Sequence, residues 1–556
     1  MKKTTILFAL LSMTLGTMAQ KADYNVVPLP HSIQVTDTVN CFSLKDGDII
    51  SYPADNEELA RNAAFLHEYV EQSCGIHLTP TPGAKKAAIT LTIKAKSQKW
   101  DQPSSTMPGI YSIAVTKKGI TLTASEGEGI FRAIQTLRKS LPLSLDKNGE
   151  RTSGSTQSIA FPIGIISDTP RFAYRGQMLD CARHFFPVDY IKRHLDILAL
   201  HGVNQFHWHI TDDQGWRFEV KAMPELAKEG CERQFTVVGH NCYSKDHYLF
   251  DNTPYGRGCY YTQEQIRDII QYAKERYINI IPEIDLPGHM VAALHVHPEL
   301  GCTGGPYDVL PIWGVADDIL CAGNPKTLEF LKTVLGELCD VFPSKYIHIG
   351  GDESPRVRWK NCPKCQAKMR ELGLKKEAEL QTYINKELDK FLTARGRTLI
   401  GWDETLEGGL SENAVVMSWR GYEGGIEAAR QHHPVIMTPT SHCYIDYYQL
   451  KGETQTQPLA IGGYLPLSKV YSMEPMPKGL TPEEQQYIWG PQCNLWTEYV
   501  ISPDHAEYML LPRLAAMSEV QWMQPEAKDY KAFESRLSRL QQLYRLLGYR
   551  YCSKHE

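Results

Sequence analysis

Hydrophobic and polar positions change rhythm near residue 170. Upstream, from residue 24 to about 165, the pattern is that of a small α/β domain. Leu59, Ala63, Leu66 and Val70 recur at helical spacing over Glu58–Ser73, and Gly75 supplies a stop. Ile89–Lys94, Ile110–Val115 and Ile120–Thr123 alternate apolar with polar residues, as half-buried strands do. A second helix is predicted over Gly127–Leu141, and the Ser-, Thr- and Gly-rich run Asp146–Ser158 reads as a loop. Reactive side chains do not gather in this domain, so its expected role is support.

From about Pro170 short apolar runs alternate with amphipathic helices. Eight strands are predicted: Gly176–Leu179, Val203–Ile210, Ile278–Ile284, Tyr346–Ile349, Thr398–Trp402, Ala414–Trp419, Val435–Thr438 and Cys493–Trp496. Between them Pro187 opens a helix that Gly202 closes, and Thr262 with Gln265 forms a capping box. Asn324-Pro325 starts a helix with Leu328, Leu331, Leu335 and Leu338 on one face, and Leu380, Ile384, Leu388 and Phe391 mark another. Eight strands alternating with helices over residues 170–524 fit a (β/α)8 TIM barrel, with a doubly wound open sheet as the alternative. Residues 525–556 add a final helix, in which Phe533, Leu537, Leu540, Leu543 and Leu547 are spaced to clasp the barrel.

Composition narrows the function. A chain of 556 residues is too long for one core. With 59 basic and 64 acidic side chains the net charge is −5, too mild for nucleic acid or an anionic membrane as partner. Lys2 and Lys3, the apolar run Ile6–Leu15 and Thr17-Met18-Ala19 read as a signal peptide over residues 1–19, so export to the periplasm or outside is expected, and no other stretch is apolar enough for a membrane span. Export gives the 14 cysteines a disulfide-permissive setting. Cys302 and Cys321 flank one loop. Cys362-Pro363-Lys364-Cys365 is a CxxC, read as a local disulfide or two free thiols rather than as zinc or redox chemistry, because no second CxxC or His pair completes four ligands.

In barrels of this kind the chemistry lies at the C-terminal ends of the strands. Acids and aromatics collect there: Asp180, Arg183 and His184; His209, Asp212 and Asp213; Glu283, Asp285 and His289; Asp352 and Glu353; Trp402, Asp403 and Glu404; Trp419 and Arg420; Tyr444 and Asp446; Trp496 and Glu498. The centre of this set is Tyr346–Glu353, a strand followed by two glycines and two adjacent carboxylic acids. Carboxylates among Trp and Tyr suit a sugar. Glycoside cleavage needs an acid for the leaving oxygen and stabilisation of an oxocarbenium-like transition state. Neighbouring acids make a facing pair awkward, but they suit a scheme in which a 2-acetamido group of the substrate attacks the anomeric carbon. One acid then protonates the glycosidic oxygen and the other holds the acetamido N–H. That scheme calls for no metal and no cofactor.

His348-Ile349-Gly350-Gly351-Asp352-Glu353 resembles the HxGGDE signature of glycoside hydrolase family 20, the β-N-acetylhexosaminidases. Arg175–Phe185, His207–Trp216, Pro282–His289, Gly401–Glu404 and Leu495–Glu498 are similar to further stretches of that family, and the resemblance runs from about Val26 to Gln521. It implies an exo-acting, retaining hydrolase that removes terminal β-linked GlcNAc or GalNAc from a glycan or chito-oligosaccharide through an oxazolinium intermediate. It also implies roles. Glu353 would be the general acid and then the base, Asp352 would polarise the acetamido group, and Tyr444 would hold its carbonyl. Trp402, Trp419 and Trp496 would wall the pocket, Arg175 would hold the 3- and 4-hydroxyls, and Asp446 and Glu498 the 4- and 6-hydroxyl side. Asp212 and His289 would tune the acid.

Three other readings stay open at this point. A lacto-N-biosidase would release a disaccharide, although Arg175 and Glu498 would crowd a second sugar. The pair His207 and His209, both on one side of a strand, could serve a metal-dependent barrel hydrolase. A sugar-binding protein without turnover is disfavoured by the two acids.

Overall fold

The computed structural model describes residues 20–94, 107–145, 158–240, 248–452 and 456–555. The predicted signal peptide (1–19) and all but the last residue of the predicted loop 146–158 lie outside the described residues. Of the described helices, none is long and apolar enough to cross a membrane.

Eight parallel strands close into a barrel: β1 (Gly176–Asp180), β2 (Gln205–His209), β3 (Asn279–Glu283), β4 (Tyr346–His348), β5 (Thr398–Trp402), β6 (Val415–Ser418), β7 (Val435–Met437) and β8 (Ile488–Leu495). Each pairs with its successor, and β8 returns to β1 through Gln492 opposite Gly176 and Leu495 opposite Leu179. Closure rules out the open sheet. The strands stand where the apolar runs predict them, except that β8 begins at Ile488 rather than Cys493. Gly490, Pro491 and Gln492 interrupt its apolar pattern, and the register against β7 shifts between Val435 and Ile436. Inside the barrel Ile281, Ile400, Val415, Met417 and Ile436 form an apolar plug with Tyr174 and Trp402.

The helices start where local chemistry favours it. Thr262 and Gln265 cap each other's backbone at the head of Gln263–Glu275, and the Asn324 side chain accepts from Lys326 N with Pro325 in the first turn. Leu331, Leu335 and Leu338 of helix Pro325–Val341 and Leu380, Ile384 and Leu388 of helix Ala378–Ala394 are buried against the sheet.

The described strands between residues 20 and 168 form one mixed sheet. Its order runs Gln20–Lys21, Ser158–Asp168, Tyr111–Thr116, Gly119–Ala124, Ile89–Ile93, Ile49–Tyr52, Thr79–Pro82, and the long strand Ser32–Lys45 pairs antiparallel with Ser158–Asp168. Two helices, Glu57–Cys74 and Gly127–Ser140, pack on it. The second is buried along nearly its whole length, charges included, because it is wedged against the barrel. Arg132 donates to Val203 O (3.2 Å) and Tyr277 O (3.3 Å), and Lys139 to Leu200 O (3.2 Å). Burial pushes the Lys139 ammonium down to about 7.

The closing helix, Tyr530–Leu547, starts on an Asp529 cap and ends at Gly548 in the left-handed region. Phe533, Leu537, Leu540 and Leu543 are buried, and Tyr544 Oη lies 2.5 Å from His201 Nε2. Arg539 donates to Ser140 O (2.5 Å), so this helix touches both the barrel and the first domain. Leu537→Ala should therefore cost about 2–5 kcal/mol. The expected readout is an earlier urea midpoint with an unchanged near-ultraviolet circular dichroism spectrum; a midpoint equal to wild type would mean the helix clasps nothing.

Candidate active site

The loop after β4 sets the site. Gly350 (φ +63°) and Gly351 (φ +99°) turn the chain through the left-handed region, and Glu353 follows at φ +40°. Gly350 is also required by space: a Cβ there would fall 1.7 Å from Asp285 Oδ1. The Asp285 carboxylate fills that volume and accepts from Gly351 N at 3.0 Å, while Gln381 Nε2 donates to Gly351 O at 2.6 Å. A turn held on both sides brings two consecutive acids, Asp352 and Glu353, to one cavity of about 450 Å³.

The two acids differ in surroundings. Asp352 is 9% exposed, and its Oδ1 is buried with no hydrogen-bond partner among the described residues. The Glu353 side chain is 44% exposed. Burial first, and the adjacent Asp352 charge second, raise the Glu353 carboxyl above its usual range. His289 Nε2 lies 3.8 Å from Glu353 Oε2 and opposes that rise. Burial disfavours charge on His289, yet Asp212 (3.1 Å) and Asp213 (3.2 Å) at its Nδ1 outweigh it and hold the imidazole well above its usual range.

Across the cavity stands one cation among acids. Arg183 reaches Asp212 (2.8 Å), Asp180 (3.2 Å) and Glu498 (3.7 Å), and donates from Nε to Gln214 (2.8 Å). Its guanidinium lies over the Trp496 ring at 5.2 Å. Asp446 and Glu498 also line the cavity, and burial raises both carboxyls. Asp446 Oδ1, like Asp352 Oδ1, is buried and unpaired among the described residues. Trp419 and Tyr444 form an aromatic wall, with ring centroids 6.1 Å apart at 27°. Glu404 fixes this wall by accepting from Trp419 Nε1 at 3.0 Å; burial, then the Asp352 charge, push its carboxyl up to about 8.

Beneath the cavity, Glu283 at the end of β3 gathers side chains from three other strands. His207 and His209 of β2 both face the barrel interior and lie 2.9 and 2.5 Å from its Oε2; His348 of β4 lies 3.0 Å from Oε1. Trp402 of β5 donates from Nε1 to Oε1 at 3.0 Å. Burial works against the Glu283 charge, and His348, His209 and His207 reverse that, holding the carboxyl well below its usual range.

Asp352, Glu353, Asp212, His289, Trp419, Tyr444, Asp446, Trp496 and Glu498 thus meet at one cavity. Two expected residues do not line it. Arg175 sits at the opposite end of the barrel, because it precedes β1 and strand N-termini point away from the site. It is fully buried, bonding Gly202 O (2.9 Å), Phe172 O (3.0 Å) and Glu128 (3.1 Å), and burial lowers its pKa to about 9. Arg183, three residues beyond the other end of β1, holds the place expected of it. Trp402 is 1% exposed and packs against Trp496 (centroids 6.0 Å) rather than forming wall. Sequence reasoning missed Trp313, Gly314 and Val315, which reach the cavity from a loop without periodic signal. Asp285, one of the strand-end acids noted in the sequence but given no role there, also lines the cavity.

A closed barrel with buried carboxylates and tryptophans at its C-terminal mouth is the architecture of a sugar-processing hydrolase. Comparison with known families identifies which one: residues 172–525 match the catalytic domain of glycosyl hydrolase family 20 and residues 23–169 match its domain 2, so the chain belongs to that family. It is 40% identical over 518 residues to a beta-hexosaminidase of Porphyromonas gingivalis; the match takes in 92% of this chain and 62% of that relative's length. An exo beta-N-acetylglucosaminidase of Vibrio harveyi in complex with N-acetylglucosamine superposes with a TM-score of 0.80 at 31% identity, over 96% of this chain and 79% of the other. A mutant Streptomyces plicatus beta-hexosaminidase in complex with product (GlcNAc) gives 0.79 at 28% identity, over 95% and 96%.

The fit of Asp285 into the space left by Gly350 is testable by a double-mutant cycle. Gly350→Ala should cost at least about 1–3 kcal/mol through left-handed strain and the displaced carboxylate. Asp285→Ala should relieve part of that, giving a coupling of about 0.5–3 kcal/mol in thermal or urea unfolding. Additive effects would mean the two positions are independent.

Proposed function

We propose that the chain is an exo-acting, retaining β-N-acetylhexosaminidase whose substrate supplies its own nucleophile. The observation that carries this is the contrast between neighbours: a buried Asp352 oxygen with no donor among the described residues beside a more exposed Glu353 whose pKa is raised. An unpaired buried acceptor is costly unless a ligand satisfies it. A 2-acetamido N–H offers that donor. With its N–H held by Asp352, the acetamido carbonyl oxygen attacks the anomeric carbon. Glu353 protonates the departing glycosidic oxygen as that bond breaks, leaving an oxazolinium. Glu353, now a carboxylate, takes a proton from water as the water opens the oxazolinium, so configuration at the anomeric carbon is retained. His289, whose imidazole Asp212 and Asp213 hold well above its usual range, faces Glu353 and stabilises it once its proton has left. Trp419 and Tyr444 pack on the acetamido group and ring.

Arg183, Asp446 and Glu498 supply donors and acceptors for the hydroxyls of one terminal sugar, which supports single-sugar release over the disaccharide-releasing alternative. The relatives bound to N-acetylglucosamine support the donor class. Export of the enzyme to the periplasm or outside, proposed from residues 1–19, fits a glycan or chito-oligosaccharide substrate.

The expected outcome is release of p-nitrophenol from its β-GlcNAc or β-GalNAc glycoside, blocked competitively by GlcNAc-thiazoline. Absence of turnover on both glycosides, with release of a disaccharide from a biosidase substrate, would overturn the exo reading. Glu353→Gln should lower kcat about 100- to 10,000-fold, and Asp352→Asn about 100- to 1,000-fold. The acid must carry its proton, so activity should fall as pH rises through the Glu353 pKa. Because that pKa is raised, the fall should come above the ordinary glutamic value of about 4.3, and Glu353→Gln should abolish this limb.

The two arginines should separate. Arg183→Lys loses the planar fork and should cost about 1.5–3 kcal/mol in kcat/KM. Arg175→Met should cost about 1–3 kcal/mol of stability by leaving the buried Gly202 and Phe172 carbonyls without their donor, with kcat/KM of the folded enzyme near wild type. Reversed effects in this pair would return Arg175 to the substrate.

A further inference from the structure

Four cysteine sulfurs converge beside the site, and nothing in the reaction uses them. Cys302, Cys321, Cys362 and Cys365 bring their Sγ atoms within 4.8 Å of one another. Cys321 lies 3.6 Å from both Cys362 and Cys365, and Cys365 lies 3.8 Å from Cys302. Three of the four are buried and Cys302 is partly so. A disulfide joins sulfurs two by two at about 2.05 Å. Here Cys321 is equidistant from two partners and Cys365 contacts two, so no pairing is singled out. Four thiolates at about 2.3 Å from a tetrahedral Zn²⁺ stand about 3.8 Å from one another. Three of the spacings, 3.6, 3.6 and 3.8 Å, match the edge of such a tetrahedron, and all four sulfurs lie within 4.8 Å of one another.

Two features of the backbone fit the same geometry. Gly323 presses on the Cys362–Cys365 turn so closely that a Cβ there would fall 2.1 Å from Lys364 C and 2.4 Å from Cys365 N. Only glycine permits that approach, and it lets the Gly323 N–H donate toward the Cys321 and Cys365 sulfurs. Cys362 and Cys365 sit at the N-terminus of helix Pro363–Leu372, whose positive end favours thiolates.

We propose that Cys302, Cys321, Cys362 and Cys365 bind one Zn²⁺ as a structural tetrathiolate site. Binding releases the four thiol protons to solvent and leaves a doubly negative cluster, offset by the helix end and the Gly323 N–H. All four positions are protein sulfur, so the ion has no open position for catalysis. Its role follows from the segments it joins. Cys302 and Cys321 stand at the feet of the loop that brings Trp313, Gly314 and Val315 to the cavity, where Gly301 and Leu320 form a bridge. Cys362 and Cys365 end the segment that leaves Asp352 and Glu353. The ion ties one wall of the sugar pocket to the segment carrying the acids. The CxxC thus has its completing ligands, contrary to the sequence expectation; they come from a distant loop with no motif of its own.

The test begins with zinc analysis by mass spectrometry on the full-length enzyme purified without added metal or chelator. About one zinc per chain is expected, and Co²⁺ in its place should give the intense visible bands of a tetrahedral tetrathiolate. Alkylation after denaturation in EDTA, without reductant, should find all four thiols free. Cys365→Ser should lose the zinc, and Cys339→Ser, which alters a buried cysteine outside the cluster, should keep it. Removing zinc with dipicolinate should lower the thermal midpoint, and ZnCl₂ should restore it. A disulfide between any two of the four cysteines, iron in place of zinc, a metal-free native enzyme, or zinc retained in Cys365→Ser would overturn the proposal. The wild-type zinc content and thiol map decide the question even if Cys365→Ser fails to fold.

Discussion

The site depends on one buried carboxylate. Glu283 carries its charge where water does not reach, a state that costs several kcal/mol unless it is answered in full. It is answered by His207, His209, His348 and Trp402, drawn from β2, β4 and β5. Four strand ends are thereby fixed relative to one another around a single atom pair. His209 passes the constraint upward to Asp212 at 2.9 Å, and Asp212 passes it to Arg183 and His289. The groups proposed to touch a sugar are thus the outer ends of a polar network rooted in the barrel core. An imidazole pair that spacing alone associates with metal is engaged here by a carboxylate.

Above that network, differences in solvation divide labour between acids of similar chemistry. Asp212 lies among Arg183, His209 and His289, and despite burial these hold its carboxyl below the usual range. Partial burial and its neighbour's charge raise the Glu353 carboxyl above its usual range. Asp446 and Glu498 are raised mainly by burial. Hydroxyls both donate and accept, so carboxyls in such surroundings suit the sugar proposed as ligand.

Much of this was legible in the chain. The eight barrel strands are short and apolar because both faces are buried, and that signal survives without tertiary context. The edge strand Ser32–Lys45 gives no such signal: most of its residues are exposed or only partly buried, so its alternation is lost. The acids of the site could be found because barrel topology ties function to strand C-termini. Arg175 was misplaced because its role was taken from the resemblance although it precedes the strand Gly176–Asp180, whereas Arg183 follows that strand and satisfies the barrel rule. Trp313 and the Cys302–Cys321 pair lie in a loop whose place is set by tertiary contacts, such as Trp359 Nε1 donating to Leu320 O at 2.9 Å. No local pattern encodes such contacts.

The buried helix Gly127–Ser140 bears on how such chains can be rearranged. Its Glu128 accepts from Arg175 of the barrel, and its Arg132 and Lys139 donate to barrel carbonyls. A barrel cut free of the first domain keeps a buried guanidinium without its counter-ion, and a first domain cut free leaves Lys139 without its acceptor and Arg132 with Glu128 alone. The boundary near residue 170 is a seam in the sequence but not in the electrostatics. Recombination between relatives at that seam should therefore cost stability unless residues 128, 132, 139 and 175 travel together or are matched by the incoming partner.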